Sequence, residues 1–420
     1  MRIFWIFMLL VLSLGFFGCP GTPSQEPAVV EEGPGFTSEG YSAPVEQTPQ
    51  VEETPIPTEE PPVEEPVAPT ETISTDPQQM LQDFILVKMT DSNGGVRNIY
   101  TNGRPYILAQ TMGQMMEYAL EVDDKELFDQ SWNFVNNYMI DEQYGLAYSS
   151  IWADDYSPRE NRSNTDDDMR ILWALYEAEE QWGAGYGYKA SGKKIADQLV
   201  AYDQYLDILG KGVTWDESGH ETSRIMDVDD LRWEVMQTLA DEDPIWRVMV
   251  VKTNQQFLTC QDQGNGLFWQ EWDIQKSRPQ YAEGLDVSMT SHMLRGARYY
   301  SEYKTYVPAT TLNTRMKNDW ERDGLISTGY HMEYMGSGNG LEDAETYALV
   351  GRNAVALGDC SFAEEMKNKI LQYQVTDPES PVYGSISRTG TEDGVLDDID
   401  VLLLLNELPD CQIPVSTVGP

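Results

Sequence analysis

Three consecutive carboxylates, Asp166, Asp167 and Asp168, stand at the front of an apolar helical stretch. Ile171, Leu172, Leu175 and Ala178 recur there at helical spacing. Thr165 or Asp166 can cap that helix, because a short oxygen-bearing side chain accepts the unpaired N–H groups of a first turn. Capping alone would account for one such cluster. The pattern recurs, however. Asp227, Asp286, Asp343 and Asp398 each precede a further apolar helical run, 55 to 61 residues after the one before. Carboxyl groups gathered at one mouth raise each other's pKa, which keeps one protonated near neutral pH beside an ionised partner. That is the chemistry of general acid–base catalysis.

Aromatic residues accompany the acids. Trp152, Trp215, Trp269, Trp272, Tyr281 and Tyr383 fall in the stretches ahead of the apolar helices. Ring faces in such loops can stack on sugar rings; the alternative is that they anchor the loops in the core. Other chemistries are poorly served. His220, His292 and His331 lack metal-ligand spacing, Asp262 to Gly266 lacks the closing Glu of a calcium loop, and no Gly-rich phosphate loop follows a strand. No metal and no cofactor is expected.

The elements that position these residues are helical hairpins. Helices are expected over Gln78–Met89, Tyr106–Glu121 and Lys125–Met139, then from Thr165 to about Gln181 and over Lys189–Tyr205. The same order of inner helix, corner, amphipathic helix, Gly-plus-aromatic loop and acidic lead-in continues to Leu408. A fixed period of this length marks repeat architecture. Six units, with Gln78–Met89 pairing with the C-terminal helix, give about twelve helices. The expected fold is all-α, an (α/α)6 toroid with its carboxylates ringing a funnel; an open superhelical stack is the alternative.

Composition divides the 420 residues into three parts. Residues 1–19 carry Arg2, an apolar run and Gly18-Cys19, as in a signal peptide ending at a lipidated Cys19, or else form an uncleaved anchor. Residues 20–76 are a Pro-, Glu- and Thr-rich tether with too little apolar surface to fold. Residues 77–420 form the globular domain. The expected location is therefore extracytoplasmic, on the membrane through the N-terminus, with the protein a monomer. A net charge of -42 disfavours nucleic acid and anionic surfaces. Cys260, Cys360 and Cys411 remain after Cys19, and a Cys360–Cys411 disulfide is one option for that setting.

From about Ala109 to Leu199 the chain resembles the inverting glycoside hydrolases of family 8, of cellulase and chitosanase type. Leu127-Phe128-Asp129 with Trp132, Thr165-Asp166-Asp167-Asp168 ahead of Ile171-Leu172-Trp173-Ala174-Leu175, and Gly266-Leu267-Phe268-Trp269 ahead of Leu285-Asp286-Val287 and Arg295 carry the resemblance. It implies an (α/α)6 fold, Asp286 as the base that activates water, and Asp168 or Asp166 as the carboxylate holding the sugar at the cleavage point. The family's general acid falls on Gln110, or with a slip on Thr111 or Met112, none of which can protonate a leaving oxygen. Glu117 lies two turns deeper. Asp166, Asp227, Glu342 and Glu345 are candidate replacements. Gln110, Trp152, Trp215, Trp269, Tyr281, Arg295, Glu345 and Tyr383 are expected to line a site for a polysaccharide or oligosaccharide.

The expected function is therefore hydrolysis of a β-linked glycan. A non-catalytic glycan-binding or envelope protein on the same fold is the first alternative. A lyase or epimerase of uronic acids is the second, and it needs Arg104, Arg170, Arg232 or Arg295 to offset the acidic mouth.

Overall fold

A computed structural model describes residues 74–98, 103–229, 231–262, 265–280, 287–303, 307–332, 336–387 and 395–411. The chain divides into two units, residues 1–69 and Thr70–Pro420, and every described residue belongs to the second. The signal segment, Cys19 and nearly all of the tether therefore lie outside the described residues, as do Tyr281 and Asp286. Among the described residues no helix is long and apolar enough to cross a membrane.

Among the described residues, twelve α-helices alternate between an inner and an outer layer. The inner ones are α2 (Ala109–Glu121), α4 (Thr165–Trp182), α6 (Trp233–Glu242), α8 (Thr290–Tyr303), α10 (Ala344–Ala356) and α12 (Val395–Glu407). The outer ones are α1 (Pro77–Asp83), α3 (Lys125–Phe134), α5 (Tyr188–Tyr202), α7 (Pro244–Cys260), α9 (Val307–Asp323) and α11 (Cys360–Ile370). α1 and α3 run on through a wider, π-helical turn to Met89 and Met139. Each inner helix packs on the next, and α12 packs on both α2 and α1. The ring is closed, which rules out the open stack.

The first inner helix is buried almost all round. In α2 every residue from Thr111 to Leu120 is buried. Two of the outer helices, α3 and α7, start on polar caps: Asp124 accepts from Leu127 N, and Asp243 accepts from Ile245 N ahead of Pro244. Cys360, at the start of α11, is disulfide-bonded to Cys411 beyond α12, with Cα atoms 5.7 Å apart. Cys260 is a buried free thiol.

Short strands lead into several inner helices and set the rim. Tyr106–Leu108, Arg162–Asn164, Ile225–Asp227 and Val287–Met289 pair antiparallel with 150–152, 212–214, 271–273 and 329–331. Each lead-in is thus held by the loop of the following unit. This corrects two helix boundaries. Tyr106–Leu108 is drawn into strand by its pairing with Ser150–Trp152, so α2 begins at Ala109. α5 stops at Tyr202, because Gln204–Tyr205 pairs with Ile208–Leu209.

Candidate active site

The closed ring brings the first turns of the inner helices to one mouth. Side chains four apart on a helix share a face, so the deep contacts of each helix identify the residue above them. Arg170 reaches into the centre from α4, which puts Asp166 over it. Arg295 does so from α8, which puts Ser291 over it. Glu117 does so from α2, two turns below Gln110. Gln110, Asp166, Ser291 and Glu345 are the second residues of α2, α4, α8 and α10. Gln110, Asp166 and Glu345 are half-buried, as befits a rim.

The floor under this rim is a buried ionic network. The Glu117 carboxylate accepts from Arg170 Nη1 and Arg232 Nη2, both at 2.8 Å, and from Arg352 Nη2 at 2.9 Å. Burial penalises its charge, but the three guanidiniums outweigh that and hold its pKa well below the usual carboxylate range. Arg295 Nη2 donates to Glu345 at 2.5 Å and to Asp400 at 2.8 Å. Arg352 also pairs with Glu407 and Glu121. Arg104 lies outside the floor, paired with Asp154 and Asp155 and stacked over Trp152 at 4.3 Å. The four arginines that a uronate reading would recruit are therefore already neutralised, and Arg295 is a floor residue rather than a rim one.

The three aspartates of α4 occupy different stations. Asp168 is fully buried. It accepts from Ala147 N at 2.8 Å and from the Ser163 hydroxyl, and burial pushes its carboxyl up to about 7. It is the fourth residue of its helix, and that position has the same job in four other inner helices. Met112, Met293, Tyr347 and Asp398, the fourth residues of α2, α8, α10 and α12, accept from the backbone N of Val96, Phe268, Ile326 and Ile386. Asp168 and Asp398 are thus ties between an inner helix and the preceding loop. Asp167 is buried beside Asn164, its pKa raised by burial and by Asp166. Only Asp166 faces the mouth.

The other acids sort in the same way. Asp343 caps α10, accepting from Thr346 N at 2.7 Å. Glu342 is held by Tyr347, Tyr373 and Lys369. Asp227 is fully buried at the end of its strand. Its Oδ2 accepts from Gln270 Nε2 at 3.3 Å and lies 3.6 Å from Lys211 Nζ.

Beside Asp227 the structure gathers a group that sequence reasoning missed. His292, the third residue of α8, lies with Nδ1 2.8 Å from Asp229 Oδ2 and 3.3 Å from Asp227 Oδ1. Burial opposes the imidazolium, but the two carboxylates raise its pKa well above the ordinary value. Burial, then the Asp227 charge, push Asp229 up to about 7, and Asp166 adds to the rise. Asp227, Asp229 and His292 each present a ligand atom within 4.8 Å of the others. The Lys211 ammonium, paired with Glu271, lies 3.6 Å from Asp227 at the edge of this group. The missed signal is weak: 65 residues separate His292 from Asp227, and only the pairing of successive units joins them.

The aromatic candidates divide as well. Trp152 lies on the rim strand Ser150–Trp152 and is stacked by Arg104 and Arg159; Trp215 packs on Tyr144 and Tyr148. Trp269 and Trp272 are half-buried. Tyr383 donates from Oη to Ser74 O at 2.9 Å with Lys88 over its ring, so it fastens the last loop to the start of the domain. A cleft of about 520 Å³ between the strands of the second and third units is lined by Arg162, Lys211, Thr214, Glu221, Arg224 and Gln280.

Crowded carboxyls set the pH dependence of stability. Asp168 and Asp229 titrate at about 7 and Glu121 at about 8, while Asp167, Asp203 and Asp397 are raised well above the ordinary value, burial being the first cause in each case. The folded state therefore binds more protons than the unfolded chain between about pH 4.5 and 8, and stability is lost as pH rises through that window. Glu117 and Asp227, both lowered, oppose this only at lower pH. Urea midpoints should be higher at pH 5 than at pH 8. Equal midpoints would show the buried acids to be ionised throughout.

Comparison with known proteins supports this architecture. The family model described as "Glycosyl hydrolases family 8" matches residues 89–311. A solved structure described as a novel alpha-amylase from Clostridium perfringens superposes with a TM-score of 0.71 at 20% identity, covering 79% of this chain and 98% of that one. PssZ from Listeria monocytogenes superposes with a TM-score of 0.60 at 19% identity, covering 81% and 97%. The reducing end xylose-releasing exo-oligoxylanase of Bifidobacterium adolescentis is 27% identical over 115 residues, 26% of this chain. The chain spans 30% of the length of that curated relative. With a family match over half the chain and the closed ring of six hairpins, this protein belongs to the glycosyl hydrolases of family 8.

Proposed function

We propose that the protein binds a β-linked polysaccharide or oligosaccharide in the acidic funnel and hydrolyses it with inversion, held outside the cytoplasmic membrane by its N-terminal segment. The observation that carries this reading is the rim of Gln110, Asp166, Ser291 and Glu345 over a neutralised floor, on a family 8 toroid. Asp166 holds the sugar ring at the cleavage point; Asp168 is committed to Ala147 and Ser163 and stays out of reach. Asp286, placed by the family resemblance, activates water. Trp152, Trp215 and Trp269 offer ring faces to neighbouring sugars, and the cleft beside Lys211 accommodates further units of the chain.

Purified protein should release reducing sugar from at least one of glucan, chitosan and xylan, and lose that activity in Asp286→Asn. Starch belongs on the same panel, since the Clostridium neighbour is described as an amylase. An intact protein that cuts none of them would end the hydrolytic reading. Gln110 favours a second reading, a glycan-binding protein without turnover. It predicts binding of one panel member with no product, and gain of activity in Gln110→Glu.

A further inference from the structure

The cleft between the second and third units holds an arginine that the fold does not use. Arg162, Lys211 and Arg224 line it together with Thr214, Glu221 and Gln280, around a volume of about 520 Å³. Arg162 stands on the strand Arg162–Asn164, and the next residue, Thr165, opens α4. Four residue steps separate it from Asp166, so their Cα atoms lie within about 14 Å of one another. The opposite wall is tied to the same point, since Thr165 N donates to Lys211 O at 3.3 Å. A glycan seated at Asp166 thus has this cleft within reach of its neighbouring units.

The register of the sheet puts Arg162 on the cleft side. Arg162 pairs with Thr214, and Thr214 pairs with Glu221; residues directly opposite share a face. Ser163 takes the other face, fully buried against Asp168. The other cations of the cleft are engaged. Lys211 pairs with Glu271 and lies 3.6 Å from Asp227. Arg224 lies 3.5 Å from Asp273, a buried carboxylate that Lys276 meets more closely, at 2.9 Å. The half-buried Arg162 guanidinium has no hydrogen-bond or ion-pair partner among the described residues. The chain carries 70 Asp and Glu against 28 Lys and Arg, so acids are plentiful, yet none is placed on this arginine. Glu221 is exposed two strands away, at about 9–10 Å by the spacing of strands.

We propose that this cleft is a subsite for a uronic-acid unit of the bound glycan, with Arg162 as the residue that receives its carboxylate. The inference rests on the glycan-binding part of the reading above and not on turnover. A guanidinium offers two parallel N–H donors that match a carboxylate, and the charge-assisted pair is about twice as strong as a neutral one. Arg224, which shares Asp273 with Lys276, adds a second cation to the wall. Thr214, between Arg162 and Glu221 on the sheet, offers a hydroxyl to the ring. Glu221 repels a carboxylate from the far side, so the acid group is received on the Arg162 side. The floor arginines take no part, because Glu117, Glu345, Asp400 and Glu407 already match their charges.

Titration calorimetry at pH 7 on matched pairs of oligosaccharides tests this. The pairs are cellotetraose and cellotetraouronic acid, xylotetraose and aldotetraouronic acid, and maltotetraose and its uronate counterpart. In at least one pair the acid member should bind about tenfold or more tightly than the neutral one, the return on one charge-assisted pair. Arg162→Gln should weaken the acid member about 10- to 100-fold and leave the neutral member within about twofold. Its melting temperature should match wild type, since the side chain has no partner to lose. Arg162→Lys should keep part of the preference, as a point charge without the fork. Glu221→Gln should tighten the acid member alone. Neutral members that bind as tightly as acid ones in every pair would overturn the proposal, and so would an acid preference that survives Arg162→Gln. A wild-type protein that binds no member of any pair would overturn it as well. Sugar release from the neutral polymers, and its loss in Asp286→Asn, decides the hydrolytic reading separately, so either can fail alone.

Discussion

Glu117→Gln will destabilise the folded domain by about 3–5 kcal/mol, the cost of breaking a buried ion pair from one side. The reason lies in what is left behind. Glu117 is the shared acceptor of Arg170, Arg232 and Arg352, each at 2.8 or 2.9 Å and each about as buried as the carboxylate itself. An amide offers one neutral oxygen where three guanidiniums need an anion, so their charge stays buried and uncompensated. Arg352 retains Glu407 and Glu121, and Arg170 retains the Tyr299 hydroxyl at 3.1 Å, which limits the loss. Among the described residues, Arg232 then keeps the ring faces of Trp173 and Tyr299. The variant should also lose the wild type's sensitivity to strong acid. The Glu117 pKa is depressed, so its contribution is complete above the unfolded value and disappears as pH falls toward the folded one. Urea unfolding at pH 7 measures the first effect and a pH series the second. A loss under about 1 kcal/mol would mean that water reaches the floor of the funnel and screens the arginines.

That network explains which parts of the molecule could be read in the sequence. The period was legible because a helical hairpin with its loop has nearly constant length, and closure followed from pairing Gln78–Met89 with the last helix. The chemistry was harder to read because the recurring acids are not equivalent. Asp166 is the second residue of an inner helix, Asp227 ends a strand, Asp343 is an N-cap, and Asp398 is a fourth-residue tie. Loop lengths shift by a few residues from unit to unit, so an even spacing along the chain samples different stations on the rim. The rule that separates them is visible only in three dimensions: the fourth residue of an inner helix faces the preceding loop and the second faces the funnel. Met112, Met293 and Tyr347 perform the same tie as Asp168 with entirely different chemistry, so residue type gave no warning. His292 was hidden for a related reason, since its partners belong to the neighbouring unit.

The same distinction yields a sharp expectation for the two aspartates that sequence could not separate. Asp166→Asn should leave the urea midpoint near that of wild type and lower kcat/KM on a productive oligosaccharide by roughly 10²- to 10³-fold, as expected for removing one charge-stabilising group from a transition state. Its carboxylate is half-buried at the mouth and has no hydrogen-bond partner among the described residues, so folding loses little with it. Asp168→Asn should show the reverse balance. Asp168 accepts from Ala147 N and from Ser163 deep in the core; the amide oxygen keeps the first bond, but the amide N–H can only donate to Ser163, whose own O–H then loses this acceptor. The unmet buried group costs about 1–3 kcal/mol, while the rate per folded molecule changes less than in Asp166→Asn. Circular dichroism in urea and steady-state kinetics on the same preparations separate the two. If Asp168→Asn instead loses turnover at unchanged stability, the rim must rearrange on binding sugar so that the fourth residue of α4 replaces the second. The tie to Ala147 would then be a latch that substrate releases rather than a fixed part of the fold.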